Sequence, residues 1–246
     1  MRTQPSVIFG AVLILPLVAG CDEPAPTVNF PPAAAPANAQ PVPQQSGVFD
    51  PYHLGTYESA QKGHPNAQFL IGFWYTIGQG GVQIDDVEAL KWYRRAADQG
   101  LAKAQFTVGQ MYSSGEGATK DEVEALKWYR SAADQGHAQA QFTLGTMYSS
   151  GEGATKDEVE ALKWYRSAAE QEHAQAQLNL GLMYSKGQGT PEDAVEAYAW
   201  LCLAAAQLED AVSHRDQTKE TLTPEQLEQG QLRETELLEQ VDNREL

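Results

Sequence analysis

An α/α solenoid, a row of stacked helix pairs, is the fold class this sequence predicts, and three observations predict it. The segment Gly109 to Gly136 returns almost unchanged 36 residues later, beginning at Gly145. A weaker copy precedes it and another follows. Within each copy two apolar runs at helical spacing are separated by glycine-bearing turns. Self-similarity at a period of about 20 to 50 residues marks architectures whose units cannot bury their apolar faces alone and stack on their neighbours.

The copies align closely. The first half reads A-Q-F-L-I-G-F-W-Y from Ala67, A-Q-F-T-V-G-Q-M-Y from Ala104, A-Q-F-T-L-G-T-M-Y from Ala140 and A-Q-L-N-L-G-L-M-Y from Ala176. The second half reads D-V-E-A-L-K-W-Y-R-R-A-A from Asp86 and E-V-E-A-L-K-W-Y-R-S-A-A from both Glu122 and Glu158. It drifts to A-V-E-A-Y-A-W-L-C-L-A-A from Ala194. One extra residue falls between Gly80 and Asp85, a loop position where an insertion disturbs packing least.

Each half predicts a helix. Ala104, Val108, Met111 and Tyr112 share one face of the first, at i, i+4, i+7 and i+8. Val123, Leu126, Tyr129 and Ala133 form the stripe of the second, widened by Ala125, Trp128 and Ala132. So broad a stripe requires cover from the partner helix and from the next copy. Gly115 and Gly117 end the first helix, and Gly100 and Gly136 end the second. Thr119 with Glu122, Thr155 with Glu158 and Asp85 with Glu88 read as capping boxes. Thr190-Pro191 reads as a cap before a proline at the first helical position. Gly72, Gly109, Gly145 and Gly181 lie inside the first helix, where glycine costs about 1 kcal/mol relative to alanine. Their shared register predicts close approach of the paired helix, under Trp92, Trp128, Trp164 or Trp200.

The A-Q-x-x-L-G-x-M-Y-x-x-G-x-G and D-x-x-x-A-x-x-W-Y-R-x-A-A-x-Q-G patterns resemble Sel1-like repeats, relatives of tetratricopeptide repeats, over about Tyr52 to Leu208. The resemblance implies a solenoid that acts as a protein-interaction scaffold, with the first helices lining its concave face. Two departures stand out. Glu172 takes the place of Gly100 and Gly136, at a cost of about 1 kcal/mol if that turn is left-handed. Leu201 and Cys202 replace the Tyr-Arg pair, as suits a last copy that meets something different.

Residues 1–20 read as a secretion signal: Arg2, an apolar run from Val7 to Ala19, and small residues. Pro16 and the short run argue against a transmembrane helix. Val18 to Cys21, V-A-G-C, resembles the bacterial lipobox, which implies cleavage before Cys21 and lipidation of its thiol. Asp22 after that cysteine resembles the inner-membrane retention signal of enterobacterial lipoproteins. Residues 21–48 form a proline- and alanine-rich tether with seven of the 13 prolines, a composition that stays disordered and favours extended polyproline II. At about 3.1 Å per residue, the 26 residues from Asp22 to Gly47 span roughly 80 Å.

Residues 49–208 carry the repeats. They open with a lone second helix over Pro51 to Gly63, which caps the stack. Residues 209–246 read as a helical cap: one helix from about Leu208 to Glu220, carrying Ala211 and Val212, and another from about Pro224 to Val241. Thr223-Pro224-Glu225-Gln226 supplies a cap, a proline and a box glutamine for the second, whose apolar residues are Leu227, Leu232, Leu237, Leu238 and Val241.

The formal charge of −16 argues against a phosphate-reading surface and against direct attraction to anionic lipid. The search for chemistry returns no catalytic constellation, cofactor or metal site. Cys202 is flanked by Leu201, Leu203 and alanines and reads as a structural thiol. His64, His137 and His173 follow the closing turns one copy apart, too far for one ion, and Leu101 fills the slot between the first two. Gly151 to Lys156 shares glycines and a lysine with phosphate-binding loops but follows a helix and lacks their spacing. Glu124 with Lys127 is a helix-surface ion pair.

Binding is the better question. Four first-helix positions vary while their neighbours stay fixed: Asn66/Lys103/Gln139/Gln175, Leu70/Thr107/Thr143/Asn179, Phe73/Gln110/Thr146/Leu182 and Ile77/Ser114/Ser150/Lys186. Lys103, Thr107, Gln110, Gln139, Thr143, Thr146, Gln175, Asn179 and Leu182 form the candidate groove. Its amides and hydroxyls suit extended peptide backbone or carbohydrate hydroxyls. The sequence therefore predicts a lipid-tethered periplasmic scaffold that binds protein, with the lipid as its membrane contact and no nucleic-acid partner. Contact with peptidoglycan or exported polysaccharide is the alternative, and a hydrolase is a third reading that lacks a nucleophile, base and orienting group together.

Overall fold

A computed structural model describes Phe49 and residues 52–242, so the signal, the Cys21 lipidation site and the proline-rich tether lie outside the described residues. Every regular element among the described residues is an α-helix. Helix α1 (Leu54–Gln61) packs on α2 (Pro65–Ile77). Four pairs follow: α2 with α3 (Asp86–Asp98), α4 (Ala102–Ser114) with α5 (Glu122–Ala133), α6 (Ala138–Ser150) with α7 (Glu158–Ala169), and α8 (Ala174–Lys186) with α9 (Ala194–Ala205). The second helix of each pair meets the first helix of the next. Both α10 (Glu209–Thr221) and α11 (Pro224–Asp242) pack on α9. None of these helices is long and apolar enough to cross a membrane.

The helices of a pair close on each other through one contact that sets their separation. A side chain at Gly109 would lie 2.7 Å from the ring of Tyr129, and one at Gly145 would lie 2.6 Å from the ring of Tyr165. Tyr93 covers Gly72 in the same way, and Leu201 covers Gly181. The close approach is as expected, but the covering residue is the tyrosine rather than the tryptophan beside it. A one-residue step turns a side chain by about 100° around a helix, so only one of two adjacent aromatics can face the partner. This also explains Leu201: the fourth copy keeps the knob and changes its shape.

Copies are joined to one another by buried amides. Gln105 Nε2 donates to the Ala97 carbonyl of the preceding copy, and its Oε1 accepts from Gln135 Nε2 at 2.6 Å. Gln141 repeats the pattern with Ala133 and Gln171, and Gln68 with Ala60 and Gln99. Buried amides require partners, and here each partner lies on a neighbouring element. The second loop glycine adds a backbone contact. Gly153 has φ +70°, and a Cβ there would sit 2.6 Å from the Glu122 carbonyl of the preceding copy. Gly117 and Gly189 meet the Asp86 and Glu158 carbonyls likewise.

Three further sequence expectations need correction. The second helices start at Glu122, Glu158 and Ala194, capped by Asp121, Asp157 and Asp193, so neither Thr119 nor Thr155 forms the capping box and Thr190-Pro191 is not the cap. Each aspartate accepts from the two amides that follow in the first turn, as Asp121 does from Val123 and Glu124. Its own N–H donates to the Tyr112 carbonyl of the paired helix, the bond a box glutamate would otherwise make. Asp85 is a cap, accepting from the Glu88 amide, but its own N–H donates to the Tyr75 carbonyl, so the expected box with Glu88 does not form there either. Second, Val123 is 57% exposed, and the buried stripe of α5 is Ala125, Tyr129, Ala132 and Ala133, with Leu126 and Trp128 half-buried. Third, Leu232 and Leu238 of α11 are exposed, leaving Leu237 as its deeply buried leucine.

The C-terminal helices otherwise follow the sequence. Thr223 and Gln226 form a reciprocal capping box: the Gln226 amide donates to Thr223 Oγ1, and the Thr223 amide donates to Gln226 Oε1. Helix α11 docks on α9 through Gly230 against Tyr198 and through Arg233 Nε donating to Glu196 Oε1 at 2.6 Å. Glu172 adopts φ +60°, the left-handed turn that glycine fills at Gly100 and Gly136.

Candidate functional site

The first helices present one face to their partners and leave another open. Gln110, Gln139, Thr146 and Lys103 are exposed, and Thr107, Thr143, Gln175 and Asn179 are half-exposed, so these side chains share the face that the stacking contacts do not use. Leu182 differs: it packs partly against Leu178, Leu201, Ala204 and Ala211, because α10 reaches over that end. At the other end Leu70, Phe73 and Ile77 remain exposed.

The polar groups on this face are partly committed. Thr107 Oγ1 donates to the Lys103 carbonyl and Thr143 Oγ1 to the Gln139 carbonyl, which leaves their lone pairs facing outward. Thr146 Oγ1 donates to the Phe142 carbonyl and accepts from the Tyr165 hydroxyl. Gln139 Oε1 meets His173 Nε2 of the next copy at 3.0 Å. Lys103 Nζ sits 4.6 Å over the Phe69 ring.

A cavity of about 450 Å³ opens on this face where the first copy meets the second. Thr107 and Gln110 from the expected groove line it with Ser114 from the fourth varying position, joined by Thr76, Tyr93, Met111, Ser113, Glu116 and Tyr129. Sequence reasoning missed the tyrosines as its floor. Their fixed spacing from the interior glycines was the available signal, but the tryptophan one residue earlier carried the same signal. Burial pushes the Tyr129 hydroxyl up to about 12, so it stays protonated.

The remaining candidates resolve into structure. His137 and His173 are helix N-caps, each accepting from an amide three residues on through Nδ1, and each stacks on the phenylalanine of the preceding first helix. Burial lowers both pKa values. Cys202 is half-buried rather than enclosed by leucines. It faces a cleft with Tyr198, Arg215 and Glu234, and burial pushes its thiol up to about 11, opposite to the shift a nucleophile needs. Among the described residues no cluster of ligands could hold a metal ion.

The Sel1 repeat family model matches residues 65–101, 102–137, 138–173 and 174–207, more than half of the sequence and in register with the four pairs. The chain belongs to the Sel1 repeat family. Repeats of this family mediate protein–protein interaction, and its members are typically non-catalytic adaptors. The chain is similar to the protective antigen c5321 of uropathogenic Escherichia coli, at 34% identity and a TM-score of 0.67, over 77% of this chain and 41% of that one. It is also similar to a Sel1 repeat protein from Oxalobacter formigenes, at 37% identity and a TM-score of 0.58, over 63% of this chain and 69% of that one. A shorter stretch of 81 residues is 38% identical to the chitin synthase regulator SKT5 of Malassezia restricta, covering 32% of this chain and 5% of that protein. The chain thus spans only a small part of that curated relative.

Proposed function

We propose that this Sel1 repeat protein is a lipid-tethered scaffold of the bacterial envelope. In this reading Cys21 carries the anchor on the periplasmic side, at the inner membrane by the Asp22 signal, and the first-helix face holds a protein partner. The carrying observation is a division of labour. The residues that join helices and copies are nearly fixed, whereas the exposed first-helix positions change from copy to copy. A surface that varies on a constant frame is how repeat arrays acquire specific partners. The V-A-G-C sequence and the proline-rich segment after it support the tether.

A photocrosslinking side chain placed at Thr146 in the native envelope should capture one protein, and the same group at Lys127 on a second helix should not. Equal capture from both, or capture from Lys127 alone, contradicts the assignment. Palmitate labelling should be lost in Cys21→Ser, and labelling that persists would remove the anchor. The hydroxyl lining of the cavity also supports a second reading, contact with cell-wall glycan. Co-sedimentation with purified sacculi, lost on changing Gln110 and Thr107 to bulky charged residues, would favour it.

A further inference from the structure

The cavity between the first two copies has a chemical bias that sharpens the proposed function and rests on it. Most of its hydroxyl protons are already spent. Thr76 Oγ1 donates to the Phe73 carbonyl, Thr107 Oγ1 to the Lys103 carbonyl, Ser114 Oγ to the Met111 carbonyl and Ser113 Oγ to Glu122. With the Thr76 proton committed, the Tyr93 hydroxyl donates to Thr76, 3.2 Å away. What these groups present to the cavity is lone pairs, although one on Thr76 is taken by Tyr93 and one on Ser114 by the Glu116 amide. The lining therefore accepts more readily than it donates, with the Gln110 amide as its adaptable member.

The charge points the same way. Glu116 is the carboxylate on the cavity wall, and no ion pair engages it among the described residues. The pKa of Lys120 is raised mainly by its ion-pair partner Glu122, with a smaller contribution from Glu152, the counterpart of Glu116 in the next copy. The residue matching Lys120 one copy earlier is Ile84, so Glu116 lacks the compensation that Glu152 has. Lys103, one turn before Thr107 on α4, is not part of the lining and sits over the Phe69 ring. The chain as a whole carries −16, which draws cations toward it.

We infer that this cavity receives a lysine or arginine side chain of the protein partner. The ammonium or guanidinium would give its protons to the Thr76, Thr107 and Ser114 oxygens and pair with Glu116 at the mouth. The aromatic floor of Tyr93 and Tyr129 would pack the aliphatic stem. A site built this way selects a basic side chain over an isosteric apolar one, because only the cation satisfies the acceptors and the carboxylate.

The test is an NMR titration of the full chain with N-acetyl-lysine methylamide, the matching arginine derivative and the norleucine derivative, which has lysine's carbon chain without its charge. Saturable shifts at the amides of Thr107, Gln110, Ser114 and Glu116 are expected with either cation. The norleucine probe should give none at the same concentration. Glu116→Gln should weaken cation binding at least about fivefold, and Glu152→Gln less than about twofold. Equal binding of norleucine, unchanged binding in Glu116→Gln, or shifts confined to the acidic second helices would overturn the pocket. These readouts are separable from the crosslinking above. Partner capture at Thr146 that is unchanged in Glu116→Gln, with no lysine-specific shift, sinks the pocket and leaves the scaffold. Lysine-specific shifts without groove capture sink the scaffold and leave a cation pocket.

Discussion

The interior copies and the C-terminal end of the stack solve the same packing problem with different side chains. In the interior a flat tyrosine covers the glycine, as Tyr165 covers Gly145; at the end a branched leucine, Leu201, covers Gly181. In the interior an arginine reaches the next copy: Arg94 donates to the Tyr112 hydroxyl, and Arg130 to that of Tyr148. At the end Cys202 stands in that place and faces α10 and α11 instead. The buried amides show the difference most plainly. Gln141 has both ends bonded, whereas Gln177, buried still deeper, has its Nε2 on the Ala169 carbonyl and no protein partner for Oε1. Gln207 is spaced to supply that partner, but Leu208 replaces the turn residue that takes a positive φ in the other copies. With Leu208 extended at φ −125°, the chain turns away into α10 before Gln207 can reach inward. One missing left-handed residue therefore ends the ladder and starts the cap.

The strongest way to break the interior is to fill its closest contact. Gly145→Leu should cost about 3 kcal/mol or more, a fall in Tm of roughly 10 °C, because the Tyr165 ring is wedged between helices. Gly181→Leu should cost less, since the Leu201 side chain can change rotamer; equal melting temperatures would erase the distinction. The amide ladder comes next. Gln141→Leu should cost about 2 kcal/mol by stranding Ala133 and Gln171, and Gln177→Leu about 1 kcal/mol or less, read by urea unfolding. A reversed order would mean that Gln177 Oε1 is well satisfied. Glu172→Gly, which restores the interior turn, should stabilise by about 1 kcal/mol, and a loss instead would show that the Glu172 side chain holds the turn.

The smallest effect is one of pH. His137 and His173 are harder to protonate when folded, because burial opposes the charge. Their contribution is complete above the unfolded pKa of about 6.5 and declines as pH falls below that toward the lowered folded values. Asparagine at both positions keeps a capping side chain without the titration. It should flatten that slope in urea midpoints measured between about pH 7 and 5, and an unchanged slope would assign the effect to other groups.

The repeat period carried most of the fold, because a copied segment must occupy copied surroundings. It set the helix pairs, the interior-glycine contacts and even the cost at Glu172. It was weaker wherever two adjacent residues offered the same chemistry. Thr119 and Asp121 both make good caps, and the choice fell to Asp121 because its amide reaches Tyr112 on another helix. Trp128 and Tyr129 are both large aromatics, and only the crossing of the helices decides which covers Gly109. Gln105 and its equivalents were visible as an unvarying polar residue on a buried stripe, a pattern that calls for a buried partner. The open positions of the first helices were legible as variation, but the cavity was not. It needs Thr76 and Tyr93 from one copy beside Gln110 and Glu116 from the next, a juxtaposition no single copy contains.

The central claim is that tyrosine on glycine closes each helix pair, and that the buried glutamines bonded to the carbonyls of the preceding copy weld the pairs into one cooperative stack. Hydrogen exchange of the full chain, native against Gly145→Ala, tests it most directly. If the copies are coupled, protection should fall together in α4 to α9 although only the α6–α7 contact is changed. A loss confined to α6 and α7, with α4, α5, α8 and α9 unchanged, would contradict it.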